Sequence, residues 1–148
     1  MQQLRLYVLS EQKGNTPERG RAAYELEMTL KSGKNESVSG YVYLTDRNRN
    51  GATLEGLIEG LKRIRMDMNV SLSLYTEAAV INTQIMAGNM EKWHKAGYKT
   101  SKGEPVKYAD LWQEIYGLVK TKVRGGIVDC SPVPYEKQRK LEGIIRKE

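Results

Sequence analysis

Three strand-like runs in succession, followed by an abrupt change of hydrophobic period, limit the possible folds of this chain more than any other feature of it. Residues 4–10 (LRLYVLS) form a short apolar and aromatic run, residues 22–30 (AAYELEMTL) alternate acidic with apolar side chains, and residues 37–44 (SVSGYVYL) are rich in valine and tyrosine. Each pattern predicts a strand. Gly14-Asn15-Thr16-Pro17 and Lys31-Ser32-Gly33-Lys34-Asn35 separate them, and these turn residues make loops short enough for an antiparallel meander. From Thr53 the period lengthens: Leu54, Leu57, Ile58, Leu61 and Ile64 recur at helical spacing, with Glu55, Glu59, Lys62 and Arg63 on the other face. That is an amphipathic helix. Gly56 and Gly60 within it each disfavour helix by about 1 kcal/mol relative to alanine, so they predict a close backbone approach to the sheet or to another helix.

Beyond that helix, residues 70–76 (VSLSLYT) predict a strand, and residues 78–87, 89–96 and 109–121 predict helices. Residues 122–128 predict a fifth strand and residues 136–147 a closing helix. Asp110 is positioned to cap the helix that starts at 109, or to set charge near its positive end. Gly125-Gly126 falls inside the expected fifth strand and reads as a bulge or bend. The fold class is therefore α/β: a five-stranded mixed sheet, three antiparallel strands and then two more, with helices on its faces. At 148 residues and 39% hydrophobic content, the chain suits one core and a single domain over 1–148, with no internal repeat or linker.

Charge narrows the function classes. A formal net charge of +6 and a pI near 9.4 favour a polyanionic partner, and suit equally a domain within a larger acidic assembly. Cys130 is the only cysteine, so no internal disulfide forms and a reducing cytoplasm is the expected compartment. No run approaches the roughly 18 apolar residues of a membrane span, and the start MQQLRLYVLSEQ has no signal-peptide pattern.

Five lysines gather in residues 89–115, NMEKWHKAGYKTSKGEPVKYADLWQEI, where Glu91, Glu104, Asp110 and Glu114 largely offset their charge. Lys92, Lys95, Lys99, Lys102 and Lys107 stand alongside Glu91 and Glu104, while Trp93, Tyr98, Tyr108 and Trp112 offer flat faces able to stack on sugars or bases. A lysine run by itself describes a solvated helix face equally well. The wording WHKAGYKTSKGEPVKYADLWQEI, however, resembles the basic protrusion of the bacterial-type ribonuclease H family. There a Trp-x-Lys-x-Gly-aromatic-Lys-Thr turn leads through Pro-Val-Lys into an Asp-Leu-Trp-Gln helix. The order of expected elements is also that of the ribonuclease H fold, so the resemblance runs over nearly the whole chain. It implies a module that grips the DNA strand of an RNA/DNA hybrid and cuts the RNA strand with two metal ions.

Two-metal hydrolysis needs several carboxylates converging within ligand reach, because the ions prefer hard oxygen donors. Laid on the family pattern, the first aspartate position holds Leu9 and the helix-opening glutamate position holds Thr53. A register moved by two would place Glu55 there instead, and would throw Leu57, Ile58 and Leu61 off the buried face. Glu77 retains a carboxylate after the fourth strand, and the last position offers Arg139 or Lys140. The loop before the closing helix, DCSPVPY, lacks the family's histidine; the chain's one histidine, His94, lies in the protrusion.

The resemblance also places asparagines near the hybrid at Asn15 and Asn50, with Asn48 and Arg49 able to reach phosphate. Lys137, Arg139, Lys140, Arg146 and Lys147, partly offset by Glu136, Glu142 and Glu148, make the former metal pocket an expected cationic one, suited to phosphate without a metal. The leading expectation is thus a monomeric ribonuclease H-like protein, without a cofactor, that binds RNA/DNA hybrid or other nucleic acid and has lost cleavage. A second reading keeps a metal-dependent enzyme, with Mg²⁺ or Mn²⁺ on a site rebuilt around Glu77, Asp129 and Glu55 or Glu11. A third makes the domain a protein-interaction module of a replication or mobile-element complex.

Overall fold

The computed structural model describes residues 2–65 and 69–147. Three strands come first: β1 (Gln2–Ser10), β2 (Glu18–Thr29) and β3 (Asn35–Arg47). Helix α1 (Arg49–Lys62) follows, then β4 (Val70–Thr76), α2 (Ala79–Met86), α3 (Asn89–Lys95), α4 (Ala109–Lys122), β5 (Ile127–Ser131) and α5 (Tyr135–Arg146). The sheet order is β3-β2-β1-β4-β5. The first three strands form the antiparallel meander, and β4 pairs parallel with both β1 and β5.

Strand alternation sends successive β1 side chains to opposite faces. Leu4, Leu6 and Val8 join Leu26, Leu72 and Leu74 in the main apolar core, together with Leu54, Leu57, Ile58 and Leu61 of α1 and Trp112, Ile115 and Val119 of α4. Tyr7 goes to the other face, in a small cluster with Ala23, Val133 and Leu141. The two helix glycines meet the sheet, as the pattern predicts. A Cβ on Gly56 would lie 2.7 Å from Val8 Cγ1, and one on Gly60 would lie 2.5 Å from Leu6 Cδ1. Both distances are far inside contact range, so α1 seats on β1 only because these side chains are missing.

Several local expectations need correction. The fifth strand begins at Ile127, not at 122, because α4 continues to Lys122 and Val123 buries its side chain in the core. Gly125 and Gly126 form the turn that enters the strand: Gly126 has φ +72, and Leu72 N–H donates to its carbonyl at 2.9 Å. Asp110 is not the cap of α4; Tyr108 occupies that position in the left-handed region (φ 61), and Asp110 contributes charge in the first turn. Both early strands are longer than their apolar runs, with β2 starting at Glu18 and β3 ending at Arg47. Ladder pairing extends them past the hydrophobic pattern. No helix of the described residues is long and apolar enough to cross a membrane.

Candidate functional site

Parallel pairing of Val8 with Thr76 brings the carboxyl ends of β1 and β4 side by side, the end at which α/β sheets open a ligand crevice. The N-terminus of α1 closes one side: Arg49 N–H donates to the Gly14 carbonyl at 3.0 Å. Helix α5 closes the other. The resulting cavity, about 150 Å³, gathers Leu9, Thr53 and Glu77. It also takes in Ser10, Lys13, Arg49, Gln138 and Glu142. Larger cavities exist, about 380 Å³ beside Arg63 and Arg65 and about 430 Å³ beside His94 and Tyr98, but neither contains positions 9, 53 and 77.

Thr53 is 3% exposed, and its hydroxyl donates to the Arg49 carbonyl at 2.8 Å. Glu55 points elsewhere, accepting from Arg47 at 3.1 and 3.2 Å, so Thr53 and not Glu55 lines the cavity. Glu77 is held on both oxygens: Oε2 accepts from Val133 N–H at 2.9 Å and Oε1 from Gln138 Nε2 at 3.1 Å. Asp129 is exposed, mid-strand on β5 opposite Ser73. Glu77, Asp129 and Glu55 are therefore not brought together, and Glu11 accepts from Arg21 N–H at 3.1 Å instead. Among the described residues no group of three His, Cys, Asp or Glu side chains is placed to hold a metal. The donor set does not fit a Mg²⁺ or Mn²⁺ pair: two carboxylates, one fully engaged, share the cavity with two cations.

The closing helix turns a different face to the cavity from the one expected. Arg139 is exposed and outside the cavity lining, while Lys140 reaches across the sheet to Glu25 Oε2. Gln138 and Glu142 face inward instead. They lie one helical turn apart, whereas Lys137, Lys140, Leu141 and Ile144 define the sheet-facing side. That spacing was visible in the sequence; which side met the cavity was not.

The sheet-facing side carries an ion network. Lys137 Nζ lies 2.5 Å from Glu25 Oε1 and 2.8 Å from Glu27 Oε2, and Arg5 Nε lies 2.9 Å from Glu27 Oε1. Burial disfavours ionisation of Glu25, but hydrogen bonds and charge from Lys137 and Lys140 outweigh it and hold its carboxyl below the ordinary range. Glu27 is shifted in the same direction, with Lys137 and Arg5 outweighing burial. Lys137 is raised: burial opposes its charge, and the two carboxylates more than compensate. Arg21 completes the attachment by donating to the carbonyls of Ile144, at 3.1 Å, and Lys147 near the end of α5.

In residues 89–115, Lys92, Lys95, Lys99, Lys102 and Lys107 are all exposed. The aromatic expectation needs revision. Trp112 is 1% and Tyr98 9% exposed, so neither is free to stack on a base; they anchor the protrusion to the core. Trp93 packs on Trp112 at 5.1 Å between centroids, and Tyr108 donates through its hydroxyl to Asn48 Oδ1 at 2.5 Å. Asn48, expected near phosphate, is the N-cap of α1, and its Oδ1 also accepts from Gly51 N–H at 2.9 Å. Asn15 is exposed and Asn50 half-buried, on the two segments that Asn48 links by donating to the Asn15 carbonyl.

No protein-family model matches the chain. It is 36% identical over 98 residues to ribonuclease H of Caldicellulosiruptor saccharolyticus, covering 62% of this chain and 65% of that protein. Ribonuclease H of Thermus thermophilus is 36% identical over 78 residues, 53% of this chain and 45% of its own. The chain thus spans less than two thirds of the length of these relatives. Among solved structures, a type 1 ribonuclease H with the type 2 active-site motif superimposes with a TM-score of 0.68 at 18% identity, covering 97% of this chain and 70% of that one. A ribonuclease H1 in complex with RNA/DNA hybrid gives 0.57 at 20% identity, covering 96% and 93%. At these identities the likeness speaks for the fold.

Proposed function

We propose that this chain, whose relatives are ribonucleases H and whose fold is ribonuclease H-like, binds RNA/DNA hybrid or other structured nucleic acid and does not cut it. One observation carries the reading. Where two-metal hydrolysis needs several convergent free carboxylates, the cavity offers Leu9, Thr53, a Glu77 whose two oxygens already accept hydrogen bonds and a Glu142 paired with Arg146, alongside Lys13 and Arg49. Losing the metal pair removes several kcal/mol of transition-state stabilisation, which is orders of magnitude in rate. Binding does not depend on that chemistry. The five exposed protrusion lysines supply phosphate contacts, and one protein of the same fold has been solved with RNA/DNA hybrid.

The test titrates labelled hybrid with the protein at several salt concentrations, with and without Mg²⁺ or Mn²⁺, and then analyses the strands. Saturable, salt-dependent binding with intact RNA is expected. Replacing Lys95, Lys99 and Lys102 with Ala should flatten the plot of log affinity against log salt by about 0.9 for each phosphate that is no longer neutralised. An unchanged slope would return these lysines to a merely solvated face.

A second reading, an active metal-dependent enzyme, is favoured by Glu142, which stands with Glu77 in the same cavity. Cleavage of the RNA strand that vanishes in both Glu77→Gln and Glu142→Gln would establish it and sink the proposal. Failure to bind hybrid at any salt would favour the protein-interaction reading, with the basic face meeting an acidic protein.

A further inference from the structure

We propose that the strand-end cavity is an oxyanion site, in which Lys13 and Arg49 hold a phosphoryl group without a metal ion. The inference rests on the nucleic-acid reading only for the natural source of that phosphate, and its chemistry comes from a charge balance inside the cavity. Lys13, Arg49, Glu77 and Glu142 line it, so the formal charges cancel. Their partners do not cancel. Glu77 accepts from Val133 N–H and Gln138 Nε2, and Glu142 is paired with Arg146 at 3.3 Å. Each acid is answered from the α5 segment. The cations have no such partner: among the described residues, neither the Lys13 ammonium nor the Arg49 guanidinium makes an ion pair or side-chain hydrogen bond. Both are left to meet an acceptor that the chain does not supply.

A second observation concerns the backbone. Helix α1 runs 14 residues, has no acidic residue in its first turn, and starts with Arg49 at the cavity. The positive end of its dipole is therefore not offset by a carboxylate of its own. The α1 side of the cavity thus carries a guanidinium, an ammonium and a helix N-terminus, while the α5 side carries acids that already have donors. A tetrahedral oxyanion meets the first set through charge-assisted hydrogen bonds, and a planar guanidinium suits two phosphoryl oxygens at once. At about 150 Å³, against roughly 30 Å³ for a water, the space admits a phosphoryl group with part of its hydration. A divalent cation would instead face two positive side chains, a Glu77 whose two oxygens already accept hydrogen bonds and a Glu142 paired through Oε2 with Arg146.

The experiment is an amide NMR titration of the whole chain at constant ionic strength, with inorganic phosphate, a dinucleoside monophosphate and MgCl₂ in separate arms and sodium chloride as control. Saturable phosphate shifts should centre on the amides near Lys13, Arg49 and Glu77. In Lys13→Gln/Arg49→Gln the phosphate dissociation constant should rise by about tenfold or more, the loss expected for one charge-assisted hydrogen bond. Arg49→Lys keeps the charge without the fork and should fall between. Because Arg49 also starts α1, the dispersion of the α1 amides checks that each variant remains folded, and Arg49→Lys stands as the test if the double variant does not. Tighter saturation by the dinucleotide assigns the site to a backbone diester, and tighter saturation by inorganic phosphate to a free phosphate; either supports the proposal. Saturable Mg²⁺ shifts at Glu77 and Glu142 with no phosphate response would overturn it. So would phosphate shifts that persist unchanged in every variant. The two readings separate cleanly: phosphate saturation without hybrid binding ends the nucleic-acid reading alone, and hybrid binding that the Lys13 and Arg49 substitutions leave untouched, with no phosphate response, ends the oxyanion site alone.

Discussion

On one face of the sheet, Leu57 and Leu61 of α1 and Trp112 of α4 share a buried apolar cluster with Leu6, Leu72 and Leu74. On the other, the same central strands present Arg5, Glu25 and Glu27 to Lys137 and Lys140 of α5, around a cluster of only four buried apolar residues. Apolar contact is non-directional and insensitive to protonation. An ion network is directional, and it persists only while every member stays charged. One sheet therefore carries two attachments of different character. The charged one holds α5, the helix that brings Gln138 and Glu142 to the cavity and whose leading segment engages Glu77.

The largest expected effect lies on the apolar face. Leu57 is 0% exposed, and Leu57→Ala should lower unfolding free energy by about 2–5 kcal/mol, read as a shift of the urea midpoint at constant m-value. Glu25→Gln should cost less, about 1–3 kcal/mol, although its carboxylate is fully buried. A buried pair broken in the interior loses about 3–5 kcal/mol, but the Lys137 and Lys140 side chains are 21% and 48% exposed and can turn to water. A Glu25→Gln protein as impaired as Leu57→Ala would erase the distinction between the faces; one more stable than wild type would show the network costs stability.

Acid should divide the faces next. Glu25 and Glu27 are held below their ordinary value of 4.5, so the folded state binds fewer protons than the unfolded one there. Their contribution is complete above about 4.5 and lost as pH falls through the lower folded values. Lys137 is raised above its ordinary 10.5; its contribution is complete below that value and lost as pH rises through the folded one. Amide NMR across the acid range should show α5 resonances losing their native positions while those of α1 persist. Simultaneous loss of both would mean that α5 does not respond separately. The smallest effect is that of salt: raising sodium chloride should lower wild-type stability by a few tenths of a kcal/mol, and by less in Glu25→Gln, since partly exposed pairs are screened.

Local periodicity made most of the fold legible. Strand alternation, the helical spacing from Leu54 to Ile64 and the paired Gly56 and Gly60 each act between near neighbours, so their consequences can be read residue by residue. Leu9, Thr53 and Glu77 meet in one cavity because strand ends and a helix start carry them to the same end of the sheet. The fifth strand was less legible: Val123 buries equally well as the last turn of a helix or the first residue of a strand.

The sequence by itself determined the element order and the main core. Only the tertiary structure decided which face of α5 meets the cavity, that Trp112 and Tyr98 anchor the protrusion instead of facing a ligand, and that Glu25 and Glu27 lie beneath Lys137 and Lys140. The reason is range. Periodicity reports which face of an element is apolar, but Lys137 and Glu25 are separated by 112 residues, and nothing local distinguishes an acid that will be buried against a distant lysine from one that will face water. That choice is made when packed elements bring charges together and remove water from between them.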